Sequence, residues 1–216
     1  MKDTRNIIIV AGGDIHQEIC EEYIKDSDDY IIGVDKGLAA LDRYNIFPDL
    51  AVGDFDSLDE ELKEKYIKRS NTIVLDTHKD LTDTHDAVLR ALKLNPERIT
   101  ILGATGGRID HLMGNIALLK LCVDKGVKAY IIDRRNRITM IDKQCEIKRE
   151  EAYGKYISCI PFSDRVTGVT LKGFEYPLTN ATMIKEDSVG ISNELREEEG
   201  LITIDTGYLL VMETKD

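Results

Sequence analysis

The chain has 216 residues, 42% of them hydrophobic, and a formal charge of −11; that length suits one large domain or two modest ones with a real core, and the acidic balance argues against nucleic acid or an anionic membrane as the main partner. Cys20, Cys122, Cys145 and Cys159 are widely spaced with no CxxC pair, which points away from a zinc site or disulfide framework and toward reduced thiols in the cytoplasm. The apolar run after the opening MKDTRN is too short for a signal peptide, and no stretch approaches the ~20 residues of a membrane span, so a soluble protein is expected.

Ile7 to Val10 form a continuous β-branched run, the pattern of a strand buried on both faces of a parallel sheet, and Ala11-Gly12-Gly13-Asp14 breaks it. A helix is expected from Ile15 to Lys25. A second cycle follows: a strand over Tyr30–Val34, the turn Asp35-Lys36-Gly37, and a helix to Tyr44. Glycines after two successive strands let backbone approach a phosphate or ribose closely, although the same glycines serve ordinary strand-to-helix turns. There is no G-x-G-x-x-G and no GxxxxGK[ST], so neither the dinucleotide fingerprint nor the Walker loop applies.

The third strand, Leu50-Ala51-Val52, runs into Gly53-Asp54-Phe55-Asp56-Ser57-Leu58. Ser57 with Glu60 reads as a capping box opening a helix to Lys68. A fourth strand over Thr72–Leu75 leads to Asp76, Lys79, Asp80, Asp83 and Asp86. Asp80 and Asp83 flank the start of the next helix, where the macrodipole favours anions, and Lys79 can meet a phosphate as a point charge. Two carboxylates about 5 Å apart repel by roughly 3 kcal/mol at an effective dielectric near 20, so a fold that gathers several needs an offset. A hard divalent cation supplies it, since Mg²⁺ takes oxygen ligands and is usually shared between one or two carboxylates and substrate phosphates.

Arg98 to Leu102 make a fifth strand, followed at once by Gly103-Ala104-Thr105-Gly106-Gly107-Arg108. Three glycines between a strand and a helix form an anion-accepting turn, and Arg108 can grip a phosphate with two bonds. Asp110, His111 and Asn115 lie in the first two turns of the next helix, His111 and Asn115 four apart on one face. A sixth strand spans Val127–Ile132. Beyond Asp133 the helical period disappears, and short alternating segments such as YISCI, RVTGVTL, LITI and GYLLVM imply an antiparallel sheet or small sandwich. The basic run Arg134-Arg135-Asn136-Arg137 marks the junction, giving domains of residues 1–134 and 135–216. Within the second half, Phe174 with Tyr176 and the turn Ser192-Asn193 are candidates for a stacking pocket that takes a planar cationic ligand.

On the residues alone an Asp-x-Asp nucleotide-sugar glycosyltransferase explains Asp54 and Asp56, and a non-enzymatic nucleotide-binding sensor also stands. Taken together, GDFDSL, KDLTD, GATGGRIDHLMGNI and the late GFEYPL with GISNE resemble the thiamine pyrophosphokinase family. The resemblance spans nearly the whole chain. It implies a Rossmann-like N-terminal α/β domain binding ATP and Mg²⁺, a C-terminal β-sandwich, and a homodimer with thiamine near the subunit interface. It implies transfer of a pyrophosphoryl group from ATP to the thiamine hydroxyl, with release of AMP. Carried onto this chain, Asp54, Asp56, Asp80 and Asp83 hold Mg²⁺ and orient the hydroxyl. Arg108, Lys79, His111, Asn115 and Asp35 serve ATP, while Asp110, Phe174, Tyr176, Ser192 and Asn193 serve thiamine. The family commonly places Trp or Tyr in its late aromatic motif, and this chain has no tryptophan.

Overall fold

Four consecutive side chains, Ile7, Ile8, Ile9 and Val10, are almost fully buried in the first strand (β1, Asp3–Val10). Burial of successive residues requires cover on both sides of the pleat, which is why the run is apolar throughout rather than alternating. A computed structural model describes residues 3–25, 27–69, 71–76 and 80–216, and the chain divides into two compact units, Met1–Arg134 and Arg135–Asp216.

In the first unit β1 pairs in parallel with β2 (Asp29–Val34) on one side and β5 (Arg98–Leu102) on the other, so that Ile8 lies opposite both Ile31 and Thr100. With β3 (Leu50–Gly53), β4 (Thr72–Val74) and β6 (Lys128–Ile132) the strands run β6-β5-β1-β2-β3-β4, every neighbour parallel. Between them come α1 (Gln17–Tyr23), α2 (Gly37–Arg43), α3 (Glu60–Ile67), α4 (Asp83–Lys93) and α5 (Ile109–Val123). Helix α4 buries Ala87, Val88 and Ala91, packs on β1, β2 and β3, and meets α5, which lies on β6. The sheet grows from β1 toward β4 in one direction and through β5 to β6 in the other. The chain therefore leaves β1 and β5 in opposite senses, and a crevice opens beyond their carboxyl ends.

The start of α3 differs from the expected capping box. Asp59 is the N-cap, and its Oδ1 accepts from the Leu62 N–H at 2.9 Å. Ser57 falls instead in the turn before it, among the residues lining the crevice. Both residue types cap well, and the helix starts two residues later than expected, after a turn that follows the completely buried Phe55.

The second unit is built of antiparallel strands: β7 (Asn136–Ile141), β8 (Gln144–Lys148), β9 (Tyr156–Pro161), β10 (Arg165–Lys172), β11 (Leu178–Ile184), β12 (Asn193–Glu194), β13 (Glu199–Thr203) and β14 (Leu209–Thr214). They form one layer in the order β12-β9-β14-β7 and another in the order β11-β10-β13-β8. One apolar core draws on both layers, with Ile157, Cys159 and Val211 from the first and Val166, Val169, Leu171, Met183 and Ile202 from the second. At one end of β14 the buried Glu213 accepts two bonds from the Arg137 guanidinium, both 2.7 Å, and one from the Tyr153 N–H at 2.9 Å. A carboxylate removed from water is tolerated when it is satisfied in this way. Among the described residues no helix is long and apolar enough to cross a membrane.

Candidate active site

The crevice at the carboxyl ends of β1, β2, β3 and β5 is a cavity of about 540 Å³. Its floor is the pair of glycine turns. Ala11 N–H donates to Leu102 O and Gly13 N–H to Gly103 O, each at 2.8 Å. Gly103 has φ +66°, and a Cβ there would stand 2.6 Å from Ala11 O. Only glycine combines that conformation with so close an approach, so the β1 and β5 loops are pinned together while Gly12, Gly106 and Gly107 remain exposed to the crevice.

One wall is acidic. Asp35, Asp54, Asp56 and Asp83 line the cavity with Lys36, Ser57, Thr82 and Thr84. Two of the loops carrying them interlock. Phe55 N–H donates to Asp35 Oδ1 at 3.3 Å, and a Cβ at residue 53 would lie 2.0 Å from that same oxygen, so Gly53 makes room for the Asp35 carboxyl. Asp35 and Phe55 both hold left-handed backbone, φ 43° and 58°. Phenylalanine rarely adopts it, and such strain persists where surrounding structure fixes it, commonly at functional sites. With Phe55 turned inward, Asp54 and Asp56 on either side point outward, and Asp56 N–H donates to Asp54 Oδ1 at 3.1 Å.

Burial pushes the Asp35 carboxyl up to about 7, helped by a hydrogen bond with Asp83 and by repulsion from Asp83 and Asp54, against a smaller lowering by the Phe55 N–H. The charged form of Asp35 is thus disfavoured first by its removal from water and then by the carboxylates beside it. Asp83 reaches the cavity from the first turn of α4, whose N-cap Thr82 accepts from His85 N–H at 3.2 Å. Among the described residues no three His, Cys, Asp or Glu groups are arranged to hold a metal ion by themselves.

The opposite wall comes from the β5–α5 turn and α5, through Arg108, His111 and Asn115. Arg108 makes a fork with Asp110, Nε to Oδ1 at 3.2 Å and Nη2 to Oδ2 at 2.6 Å, and both side chains are exposed. The hydrogen bond from Arg108, with smaller help from the His111 N–H, draws the Asp110 carboxyl down to about 2. Asn115 Nδ2 donates to Ala104 O at 2.9 Å and so ties α5 to the glycine turn.

Several expected residues lie elsewhere. Asp80 is exposed and does not line the cavity, and Asp110 stands outside it as the partner of Arg108. Asp86 pairs with Arg90 along α4, and Asp76 is exposed. Lys79 falls outside the described residues. Lys36, Ser57, Thr82 and Thr84 were not candidates from sequence. Ser57 and Thr82 each carried a signal, as residues of a capping type beside a candidate aspartate.

In the second unit the structure separates Phe174 from Tyr176. The Phe174 ring belongs to the core at 3% exposure, while Tyr176 is 66% exposed. The difference is the alternation of an extended segment, which sends neighbours-but-one to one side only while the strand stays regular; here a bend between them turns Tyr176 outward. Asn193 is buried, whereas Ser192 is exposed with φ 58°.

The model of the thiamin pyrophosphokinase catalytic domain matches residues 21–131, and that of the thiamin pyrophosphokinase vitamin B1 binding domain matches residues 144–209. A thiamine pyrophosphokinase from Bacillus subtilis is 37% identical over 98% of this chain and 100% of its own length. The chain belongs to the thiamine pyrophosphokinase family. The crystal structure of the Bacillus subtilis thiamine pyrophosphokinase superposes with a TM-score of 0.88 over 98% of this chain and 99% of that one, at 37% identity. A thiamin pyrophosphokinase from Geobacillus thermodenitrificans gives 0.85 at 34% identity, covering 98% of each chain. Members of the family are enzymes that transfer a diphosphate group, and neither the glycosyltransferase nor the sensor reading finds support. The catalytic-domain match contains the whole acidic wall and Arg108, and the vitamin B1 binding match contains Phe174, Tyr176, Ser192 and Asn193.

Proposed function

We propose that this chain transfers the terminal diphosphate of ATP to the hydroxyl of thiamine with the aid of Mg²⁺, giving thiamine diphosphate and AMP. The observation that carries the reading is the convergence of Asp35, Asp54, Asp56 and Asp83 with Arg108 and two glycine turns on one crevice. We read the first unit as Rossmann-like, with the nucleotide in the crevice where strand order reverses.

The donor set fits a hard divalent cation. It offers carboxylate oxygens around one cavity, burial first and the neighbouring Asp83 second raise the Asp35 carboxyl to about 7, and its incomplete ligand set suits an ion that keeps waters and shares polyphosphate oxygens. Asp54, Asp56 and Asp83 would hold it, with Asp80 a further candidate from the loop before α4. Bound there, the ion offsets triphosphate charge.

The chain's own groups supply position. The bare glycine turns admit the phosphates against the backbone, and Arg108 exchanges Asp110 for phosphate oxygens with the same fork. Asn115 holds the β5–α5 turn, and His111 faces the nucleotide beside it. The thiamine oxygen attacks the β-phosphorus in line, its bond forms as the bridge to the α-phosphate breaks, AMP departs, and the hydroxyl proton is released. Such a transfer asks little covalent chemistry of the protein and depends on alignment and charge. We also read the chain as a cytoplasmic homodimer, consistent with the exposed Ile109 and Met113 on α5.

Incubation of purified protein with ATP, thiamine and Mg²⁺ tests the proposal: AMP and thiamine diphosphate are expected only when all three are present, and a chelator should stop both. Folded protein that yields no AMP overturns it.

A further inference from the structure

In the second unit Asn193 sits at the start of β12 with 4% of its surface exposed. Its Oδ1 accepts from the Tyr176 N–H at 3.0 Å and from the Glu194 N–H at 2.9 Å, and its Nδ2 donates to Tyr176 O at 2.8 Å. Both acceptor positions of the amide oxygen and one amide proton are therefore occupied by backbone. A ligand finds little of this side chain to touch. Tyr176, by contrast, offers a ring 66% exposed.

We propose that Asn193 is a positioning residue: it fixes the backbone of Tyr176 so that the tyrosine ring, and not the asparagine amide, meets the cationic heteroaromatic substrate. This rests on the reading of the chain as a kinase acting on thiamine. The loop between β10 and β11 is rooted by Phe174 in the core and by the Glu175 N–H on Glu194 O at 2.9 Å. At the next residue, Asn193 takes both the N–H and the C=O of Tyr176. Asn193 is itself registered on β9, opposite Ile157, and the preceding Ser192 N–H donates to Ser158 Oγ at 3.0 Å. An exposed aromatic whose backbone is already fixed loses less freedom when a ligand stacks on it, and the face of a phenol ring attracts a flat cation.

Aspartate at 193 has the same shape and keeps both acceptor bonds, but it sets a carboxylate oxygen against Tyr176 O where the amide donated. Asn193→Asp is expected to raise the thiamine KM about tenfold with the ATP KM unchanged. Tyr176→Ala is expected to raise the thiamine KM at least as far, and the double variant should be no worse than Tyr176→Ala alone, since the first residue acts through the second. Asn193→Ser carries the same comparison if the aspartate variant does not fold. A wild-type thiamine KM in the position-193 variant, or a full additional penalty in the Tyr176→Ala background, overturns the positioning role. Wild-type protein that turns over no thiamine overturns the functional reading and the positioning role with it, whereas the first two results leave the kinase intact.

Discussion

The crevice of the first unit and the β10–β11 loop of the second present their residues by opposite means. In the crevice the backbone is strained and fixed, through left-handed Asp35 and Phe55 and the close contact of Gly53 with the Asp35 carboxyl, so that several charged side chains project into one space. In the loop a buried side chain, Asn193, does the fixing, and a single aromatic projects. Charges on a strained scaffold can be removed without removing the scaffold, because repulsion among them costs stability. In the β loop support and display fall to different residues, so removing the buried Phe174 should cost stability and removing the exposed Tyr176 should cost substrate affinity.

The largest expected effect separates these cases most directly. Asp54→Asn or Asp83→Asn should lower turnover by about 10³ or more, while melting in chelator stays equal to wild type or rises. Activity within tenfold of wild type would place the essential carboxylates elsewhere. Next, Phe174→Ala should cost about 3–4 kcal/mol in denaturant unfolding, as for other buried phenylalanines. A stable Phe174→Ala protein with a raised thiamine KM would make that ring a contact and erase the distinction between root and display. Arg108→Ala should raise the ATP KM about tenfold, the worth of one charge-assisted contact, without altering the thiamine KM; equal changes in both would assign the arginine a wider role.

The smallest effect concerns Asp35. Its carboxyl titrates near 7 in the fold against 3.8 ordinarily, so the folded protein holds a proton that the unfolded chain has released between those values, and stability falls as pH rises across that window. Asp35→Asn keeps an acceptor for the Phe55 N–H and removes the titration. In chelator its advantage over wild type should be absent below about pH 4 and grow to roughly 1 kcal/mol above pH 7, after allowance for solvent screening. A constant difference across pH, read from melting curves, would contradict the origin assigned to the shift.

Much of the first unit was legible in the sequence because burial on both faces writes itself as unbroken runs: Ile7–Val10 and Arg98–Leu102 need no tertiary information to be recognised as strands. The α3 start was not legible, because serine and aspartate both cap well and the local sequence does not decide between Ser57 and Asp59. Asp54, Asp56, Asp83 and Arg108 were visible as charges at strand ends. That Lys36 and Thr84 join them, and that Asp80 does not line the cavity, depends on how separate loops converge. In the second unit the alternating strands were readable, but the separation of Phe174 from Tyr176 was not, since a bend of the chain between two aromatics leaves no compositional trace.

Phe55 bears one more consequence. Its ring is wholly enclosed, and its neighbours on either side are the two outward carboxylates. To swing Asp54 or Asp56 by a backbone movement, the chain would have to extract an aromatic side chain from the interior, exposing about 150 Å² or more of apolar surface. Adjustment to an arriving nucleotide is therefore confined here to carboxylate rotation, and larger rearrangements must be sought on the Arg108 side, where the exposed guanidinium holds an exchangeable aspartate, Asp110.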